Sequence, residues 1–492
     1  MARRLLTTLS ALSLSAGAIA QGWPYLTYKT APFQPPQLNI TTSGAPQAPG
    51  YLFIGPRGNQ AAGTAALIYD QEGNLVYQGP DEVTSNFKVQ KLHGKDVLTF
   101  WAGDMMSIGY GYGTVHILDD TYKEIYTVTL DGPFLSPNGS TMGSYIDLHE
   151  SKVTNRNTLL VTAYNVTQQD LSAIGGPTDG WMLDGQFYEI DIPTNKILFR
   201  WSALENIADI PFNGSHQGLG KSGASQEDPW DAYHINSITE TDEGYMVSLR
   251  HFWSGYYLYR NGTIKWQLDG QNGGSFNLGT GNNFSWQHDI RVDNETSQGL
   301  VLTMFNNANT PTAEGQPTTG LSMALDLVNW SVSNLKNLSD PSDEIHSVSQ
   351  GSYEPLDNSV GHVVMDYGSI AKVKEYDAVG NTIMTAQFGP DNDVASYRGY
   401  KAQWVGTPFW KPAVVIEGNT VYMSWNGATE YDNWAVYGAQ TETASNKTLL
   451  GTVARTGFES STTLKQLTTQ YIQVVARRGT TNLGYSDMIS TQ

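Results

Sequence analysis

An acidic or turn residue, a tight turn and a strand ending on an aromatic or apolar group recur six times in this chain of 492 residues. The copies begin at Tyr69 (Tyr69-Asp-Gln-Glu-Gly-Asn-Leu-Val-Tyr), Leu118, Ile190, Tyr259, Leu325 and Tyr376, with starts 49, 72, 69, 66 and 51 residues apart. A loose period of this length suits a four-stranded unit with variable loops. One such unit cannot bury its apolar face alone, so neighbours must stack. Helical periodicity is scarce, and short runs of Val, Ile, Leu, Tyr and Thr alternate with Gly, Asn and Asp turns, so the class is all-β. The repeat predicts a six-bladed β-propeller over residues 50–408. Residues 21–49, rich in Pro and Thr, read as an N-terminal strap. Past Trp404 the pattern changes at Pro408-Phe-Trp-Lys-Pro. The short alternating strands from Ala413, Thr420, Trp434 and Tyr471 predict a C-terminal fibronectin-III/immunoglobulin-like β-sandwich over 409–492.

Three histidines head similar strand units: His149 in Asp-Leu-His-Glu, His234 in Tyr-His-Ile-Asn-Ser and His288 in Trp-Gln-His-Asp. About a dozen residues after each comes an apolar strand, starting at Leu159, Tyr245 and Leu300. In radial blades the innermost strands border a central channel, so equivalent positions converge there, and the three imidazoles are expected to meet. Gln350 in Ser349-Gln-Gly-Ser is the fourth equivalent. By the period-2 rule Asn236 shares a strand face with His234, and Arg250 lies on the following strand. Amide and guanidinium donors beside imidazoles match sulfate or phosphate oxygens. Arg250 paired to a blade carboxylate is the structural alternative. Trp230, Tyr233, Trp253 and Trp286 could wall a vestibule for an aromatic ring, or simply pack between blades. His93, His116, His216, His346 and His362 lack the shared placement and read as structural, with His251 behind the main three.

The first twenty residues carry Arg3 and Arg4, an apolar run from Leu5 to Ala20 and a small-residue end, which predicts a signal peptide over 1–20 and a secreted, extracellular product. Sequons at Asn39, Asn138, Asn165, Asn213, Asn261, Asn283, Asn294, Asn329, Asn337 and Asn446 fit a glycosylated secretory route. With no cysteine, disulfides, thiolate nucleophiles and cysteine metal sites are excluded. A net charge of -19 with no Lys/Arg cluster disfavours nucleic acid, and no later stretch reaches membrane-span length.

Asp228-Pro-Trp-Asp-Ala-Tyr-His-Ile-Asn-Ser, then Ser248-Leu-Arg-His, Trp286-Gln-His-Asp and Ser349-Gln-Gly resemble the arylsulfotransferase (ASST) family in its secreted fungal-type branch. The resemblance spans roughly residues 50–408 and implies a six-bladed propeller with a histidine nucleophile in its channel. It implies further that His288 is that nucleophile and that His149, His234, Asn236 and Arg250 bind and polarise sulfuryl oxygens. Trp286, Gln287, Gln350 and Tyr233 are the expected substrate contacts. The implied activity is PAPS-independent transfer from an aryl sulfate to a phenol through a sulfohistidine, with no cofactor and a small aromatic partner. The absence of a Gly-rich phosphate loop agrees with this.

Other readings fit the same residues. The three imidazoles could hold a divalent metal with Asp147, Glu150 or Asp289, as in a propeller lyase or hydrolase acting on acidic polysaccharide. A propeller of secondary metabolism could bind and cyclise an aromatic intermediate, and a noncatalytic binding module is the plainest case.

Overall fold

The computed structural model describes residues 22–106, 109–311, 315–356 and 361–491. The expected signal peptide lies outside the described residues. Six antiparallel sheets follow one another, and their assembly is that of a β-propeller. The first sheet comprises Thr84–Leu92, Lys95–Met105, Gly111–Leu118 and Glu124–Val128, and the second Ser151–Val153, Thr158–Gln169, Gly180–Asp191 and Lys196–Ser202. The third runs from Ile235–Glu240 to Ile264–Asp269, and the fourth from His288–Thr296 to Ser331–Leu338. The fifth begins at Ser352–Pro355 and ends at Thr382–Gln387, on whose outer edge Asn39–Thr42 adds another strand. In the sixth, Tyr400–Ala402 pairs with Tyr51–Ile54, which continues to Leu67–Tyr69 and Leu75–Gln78. Chain segments some 350 residues apart therefore share one sheet.

Each of the six sequence repeats is the outermost hairpin of one sheet, and each of these strand pairs carries a register shift. The turn chemistry explains the motif. Asp70, Asp119, Asp326 and Asp377 each accept backbone N–H bonds from residues two to four places on, fixing the tight turn in side-chain geometry.

Apolar clusters lie between neighbouring sheets. Leu159, Val161, Phe187 and Tyr245 pack sheets two and three, and Met246, Ile290 and Leu302 pack three and four. Phe305 and Tyr353 join four to five, Ile54 and Val373 join five to six, and Phe53 and Phe87 join six to one. Past the sixth sheet, two further sheets share a core of Val421, Met423, Trp434, Val436, Ile472 and Val474. The strap touches this region, with Tyr28 against Phe458 at 4.5 Å and Thr30 Oγ1 donating to Glu459 Oε2 at 2.6 Å.

The heads of the inner strands meet in a buried charge network. Arg291 pairs with Glu150 at 2.7 Å and Asp289 at 2.6 Å, while Arg398 approaches both at 3.4 Å. Arg398 also donates to Asn86 Oδ1 and the Asn236 carbonyl, and Lys88 lies 3.7 Å from Glu150. These residues come from strands of the first, third and fourth sheets and from just before strands of the second and sixth. The neighbouring guanidinium groups hold the Glu150 carboxyl far below the usual range against the opposing effect of burial. Removing one member of such a network leaves buried charge uncompensated. Arg398→Met should therefore destabilise the protein by about 3–5 kcal/mol in urea unfolding, with Arg398→Lys losing less.

Candidate active site

Directly at these strand heads, the three repeat histidines come together. The His149 and His234 rings are 4.9 Å apart and the His234 and His288 rings 6.4 Å apart, all three buried. His149 lies two residues before its strand, His234 one residue before, and His288 opens its strand. His234 sits at φ +50, in the left-handed region. His251 joins them, its ring 4.6 Å from that of His234.

The histidines are chemically unequal. His149 Nδ1 donates to Asp147 Oδ2 at 2.5 Å and His234 Nδ1 to Asp231 Oδ2 at 2.5 Å, so a carboxylate backs each ring and the Nε2 atom is the outward one. Asp147 is itself held by Thr162 Oγ1 and the Gly111 N–H. His288 Nδ1 instead donates to the amide oxygen of Asn307 at 2.7 Å, an assignment fixed because Asn307 Nδ2 donates to the Ser347 and Gln350 carbonyls. Its Nε2 accepts the Gln350 N–H at 3.2 Å. Burial, reinforced by Arg250 and His234, keeps the His288 ring neutral well below the ordinary histidine range. His234 and His251 are also depressed, burial being the main cause for each.

Arg250 is buried and, among the described residues, forms no ion pair with a carboxylate. It donates to His251 Nε2 at 2.9 Å and the Val348 carbonyl at 2.9 Å, and lies 5.1 Å over the Trp286 ring, while its Nε has no partner. The structural alternative of a blade ion pair is therefore not the arrangement found. Burial lowers its pKa to about 10, which still leaves it charged. Asn236 has one N–H on the Gln287 carbonyl at 2.7 Å and a buried Oδ1 without a partner.

Among the expected substrate contacts, Trp286 and Gln350 adjoin the cluster, through Arg250 and His251 for the first and His288 for the second. Tyr233 and Gln287 do not present their polar groups to it. The Tyr233 hydroxyl donates to the Ile210 carbonyl and its ring stacks on Phe252 at 5.3 Å within the core. The Gln287 amide donates to Ser248, Leu249 and Ser254 on the neighbouring sheet. Trp230 likewise packs in the core, with its indole N–H on the Gln217 carbonyl. An aromatic rim does form from Trp253 and Trp286, 5.5 Å apart, and His216, read from sequence as structural, stacks on Trp253 at 3.6 Å.

The metal reading meets a different geometry. Among the described residues, Asp231, His234 and His251 are the group at ligand spacing, not the three repeat histidines. Arg250 donates to His251 Nε2, placing a cation on that lone pair. Glu150 and Asp289 are engaged by Arg291 and Arg398, and Asp147 by His149 and Thr162.

The motif-bearing region matches the model of the arylsulfotransferase (ASST) family over residues 88–389, more than half of the chain. The chain belongs to the arylsulfotransferase family. No curated protein matches it. The Pseudomonas aeruginosa periplasmic gluconolactonase PpgL aligns at 12% identity, covering 70% of this chain and 98% of that one, with a TM-score of 0.31. A Penicillium chrysogenum alpha-L-arabinanase aligns at 11% identity over 77% of this chain and 94% of its own, with a TM-score of 0.31. The GH43 BlXynB protein from Bacillus licheniformis aligns at 7% identity over 92% and 91%, with a TM-score of 0.32. Superpositions this loose carry no function to this chain.

Within this arylsulfotransferase fold, sequence reasoning passed over Asp231 and Asn307 as well as Arg57 and Tyr397. A carboxylate two or three residues before a histidine, as in Asp147-Leu-His149 and Asp231-Ala-Tyr-His234, was a usable signal. Asn307, Arg57 and Tyr397 come from other strands and had none. Since the amide of Asn307 cannot stabilise an imidazolium as an anion does, Asn307→Asp should raise the His288 pKa by about one unit or more in an NMR titration. The linkage has a definite sign. Wild-type His288 binds no proton in the folded state near its unfolded value of 6.5, so its contribution to stability is lost as pH falls below 6.5. That loss should be smaller in Asn307→Asp.

Proposed function

We propose that this protein is a secreted, glycosylated arylsulfotransferase of the fungal-type branch that moves a sulfuryl group from an aryl sulfate to a phenol through a sulfohistidine at His288. The observation that carries the reading is the inequality of the imidazoles beside an unpaired guanidinium. His288 is neutral and amide-backed, whereas His149 and His234 are carboxylate-backed. A neutral imidazole is the form that attacks sulfur, and a carboxylate on Nδ1 orients a ring so that its Nε2 can accept a proton.

In the first half-reaction His288 Nε2, released from the Gln350 N–H, forms an N–S bond as the S–O bond to the aryl group breaks. The aryl oxygen leaves as phenolate. In the second half-reaction the imidazole of His234 or His149 accepts the proton of an incoming phenol, whose oxygen attacks sulfur and expels neutral His288, and the proton then passes to the released phenolate or to water. Arg250 and the remaining N–H of Asn236 face the charge spreading over the sulfuryl oxygens, a task that needs fixed donors in a water-poor site. The rim of Trp253 and Trp286 would receive the aryl ring.

The wider architecture belongs to the same proposal. Six sheets, six turn motifs and apolar cores linking each sheet to the next and the sixth to the first support a closed six-bladed ring over 50–408. Two sheets sharing the Trp434 core support a fibronectin-III/immunoglobulin-like sandwich over 409–492, with 21–49 as the strap. Nine of the ten sequon asparagines are exposed, Asn165 being half-buried, which suits a secreted glycoprotein. No helix among the described residues is long and apolar enough to cross a membrane.

His288→Asn should abolish turnover of a chromogenic aryl sulfate with phenol as acceptor while leaving the thermal transition intact. Wild-type protein quenched in mid-reaction should carry an acid-labile sulfuryl adduct on the His288 peptide. Retained turnover in the variant would remove His288 from the role, and tight binding of aromatics without transfer would favour the secondary-metabolism reading. His234→Gln should slow transfer by roughly 10²- to 10⁴-fold, most for weakly acidic acceptor phenols.

A further inference from the structure

A second buried guanidinium stands beside the histidines and lies outside the family-matched residues 88–389. Arg57 belongs to the two-residue strand Pro56–Arg57, which pairs with Ala395–Ser396 in a small sheet of its own. That pairing brings in Tyr397, the next residue, so both side chains are set by contact between the two ends of the propeller region. Arg57 is 8% exposed and Tyr397 2%. The Tyr397 ring lies 5.4 Å from that of His149 and 6.3 Å from that of His288, with the Arg57 guanidinium 6.0 Å from it.

Among the described residues, three buried donors here have no acceptor: Arg57 Nη1, Arg250 Nε and the Tyr397 hydroxyl. The partners the two guanidinium groups do have are neutral. Arg57 Nη2 donates to the Gln350 amide oxygen at 2.6 Å, and Arg250 donates to the His251 ring and the Val348 carbonyl. The segment 348–350 thus lies between the arginines and also presents the Gln350 N–H to His288 Nε2. Asp366, the acid whose charge acts on Arg57, is pushed above the usual carboxyl range by its burial and forms no ion pair with Arg57 among the described residues. Asp231 is the acid whose charge acts most on Arg250, but it is held by His234 at 2.5 Å and forms no ion pair with Arg250 among the described residues, so both buried cations keep idle donors that an anion would complete.

We propose that Arg57 and Tyr397 join Arg250 in a two-arginine pocket for the sulfuryl oxygens of the donor. This rests on the transferase reading for its substrate and on the local geometry for its charge. A tetrahedral oxyanion beside His288 takes the N–H of Arg57 Nη1, the N–H of Arg250 Nε and the Tyr397 O–H. The Gln350 side chain then acts as the resting partner of Arg57, and its backbone N–H as the resting partner of the nucleophile. Donor binding would loosen both contacts of one residue, freeing His288 Nε2 as sulfate arrives.

The test is calorimetric titration of inorganic sulfate, and separately of unsubstituted phenol, into the full chain as wild type, Arg57→Gln, Arg57→Lys and Tyr397→Phe. Sulfate binding should weaken about tenfold to a hundredfold in Arg57→Gln and up to about tenfold in Tyr397→Phe, with Arg57→Lys between wild type and the glutamine variant. Phenol binding should not change. Unaltered sulfate affinity in Arg57→Gln, an equal loss of both probes, or no sulfate binding by the wild type would each overturn the pocket. If Arg57→Gln fails to fold, the lysine and phenylalanine variants decide by the same comparison. Should sulfate binding follow the expected pattern while wild-type protein leaves 4-nitrophenyl sulfate unconverted, the pocket stands and the transferase reading falls.

Discussion

The buried contact among Glu150, Asp289, Arg291 and Arg398 is the constraint on which the rest of the molecule depends. Asp289 and Arg291 share the head of one inner strand, Glu150 precedes another and Arg398 lies in the closing segment, and each carries a charge that cannot be buried alone. Satisfying them together fixes where several sheets stop relative to one another, and the histidines sit on the same strand heads. His149 precedes Glu150, His288 precedes Asp289 and Tyr397 precedes Arg398. A shift of one strand would both strand a charge and move an imidazole, so packing geometry and site geometry are a single requirement.

Above that network, small differences in hydrogen bonding divide three similar side chains into distinct chemical types. Carboxylates accept the Nδ1 proton of His149 and His234 and an amide oxygen that of His288, while burial keeps both the His234 and the His288 rings below the ordinary histidine range. Arg250 adds to this, because a nearby positive charge opposes protonation of both His234 and His288. The same guanidinium lies over Trp286 and on the ring of His251, so aryl recognition, charge and nucleophile are coupled through one residue.

The fold was legible in the sequence to the extent that its regularities are local. Asp-rich turns followed by apolar strands mark the outer hairpin of every sheet, and the copies starting at Tyr69, Leu118, Ile190, Tyr259, Leu325 and Tyr376 each fall on one. The convergence of His149, His234 and His288 was also readable, because equivalent places in a repeat share an axis. Trp286 and Gln350 followed from neighbouring motifs. Tyr233 and Gln287 misled because proximity in sequence to a site histidine says nothing of which way a side chain leaves the strand; both turn into the sheets, where backbone carbonyls take their donors.

The sequence by itself determined the turn chemistry, the strand periodicity and the set of imidazole, amide and guanidinium groups available, since these depend on residues within a few positions of one another. Tertiary structure alone decided which group each histidine Nδ1 meets, that Arg250 has no carboxylate ion pair among the described residues, and that Arg57 and Tyr397 stand beside the histidines. Those outcomes are set by desolvation and by partners from distant strands, brought together where residues 51–57 pair with residues 395–402.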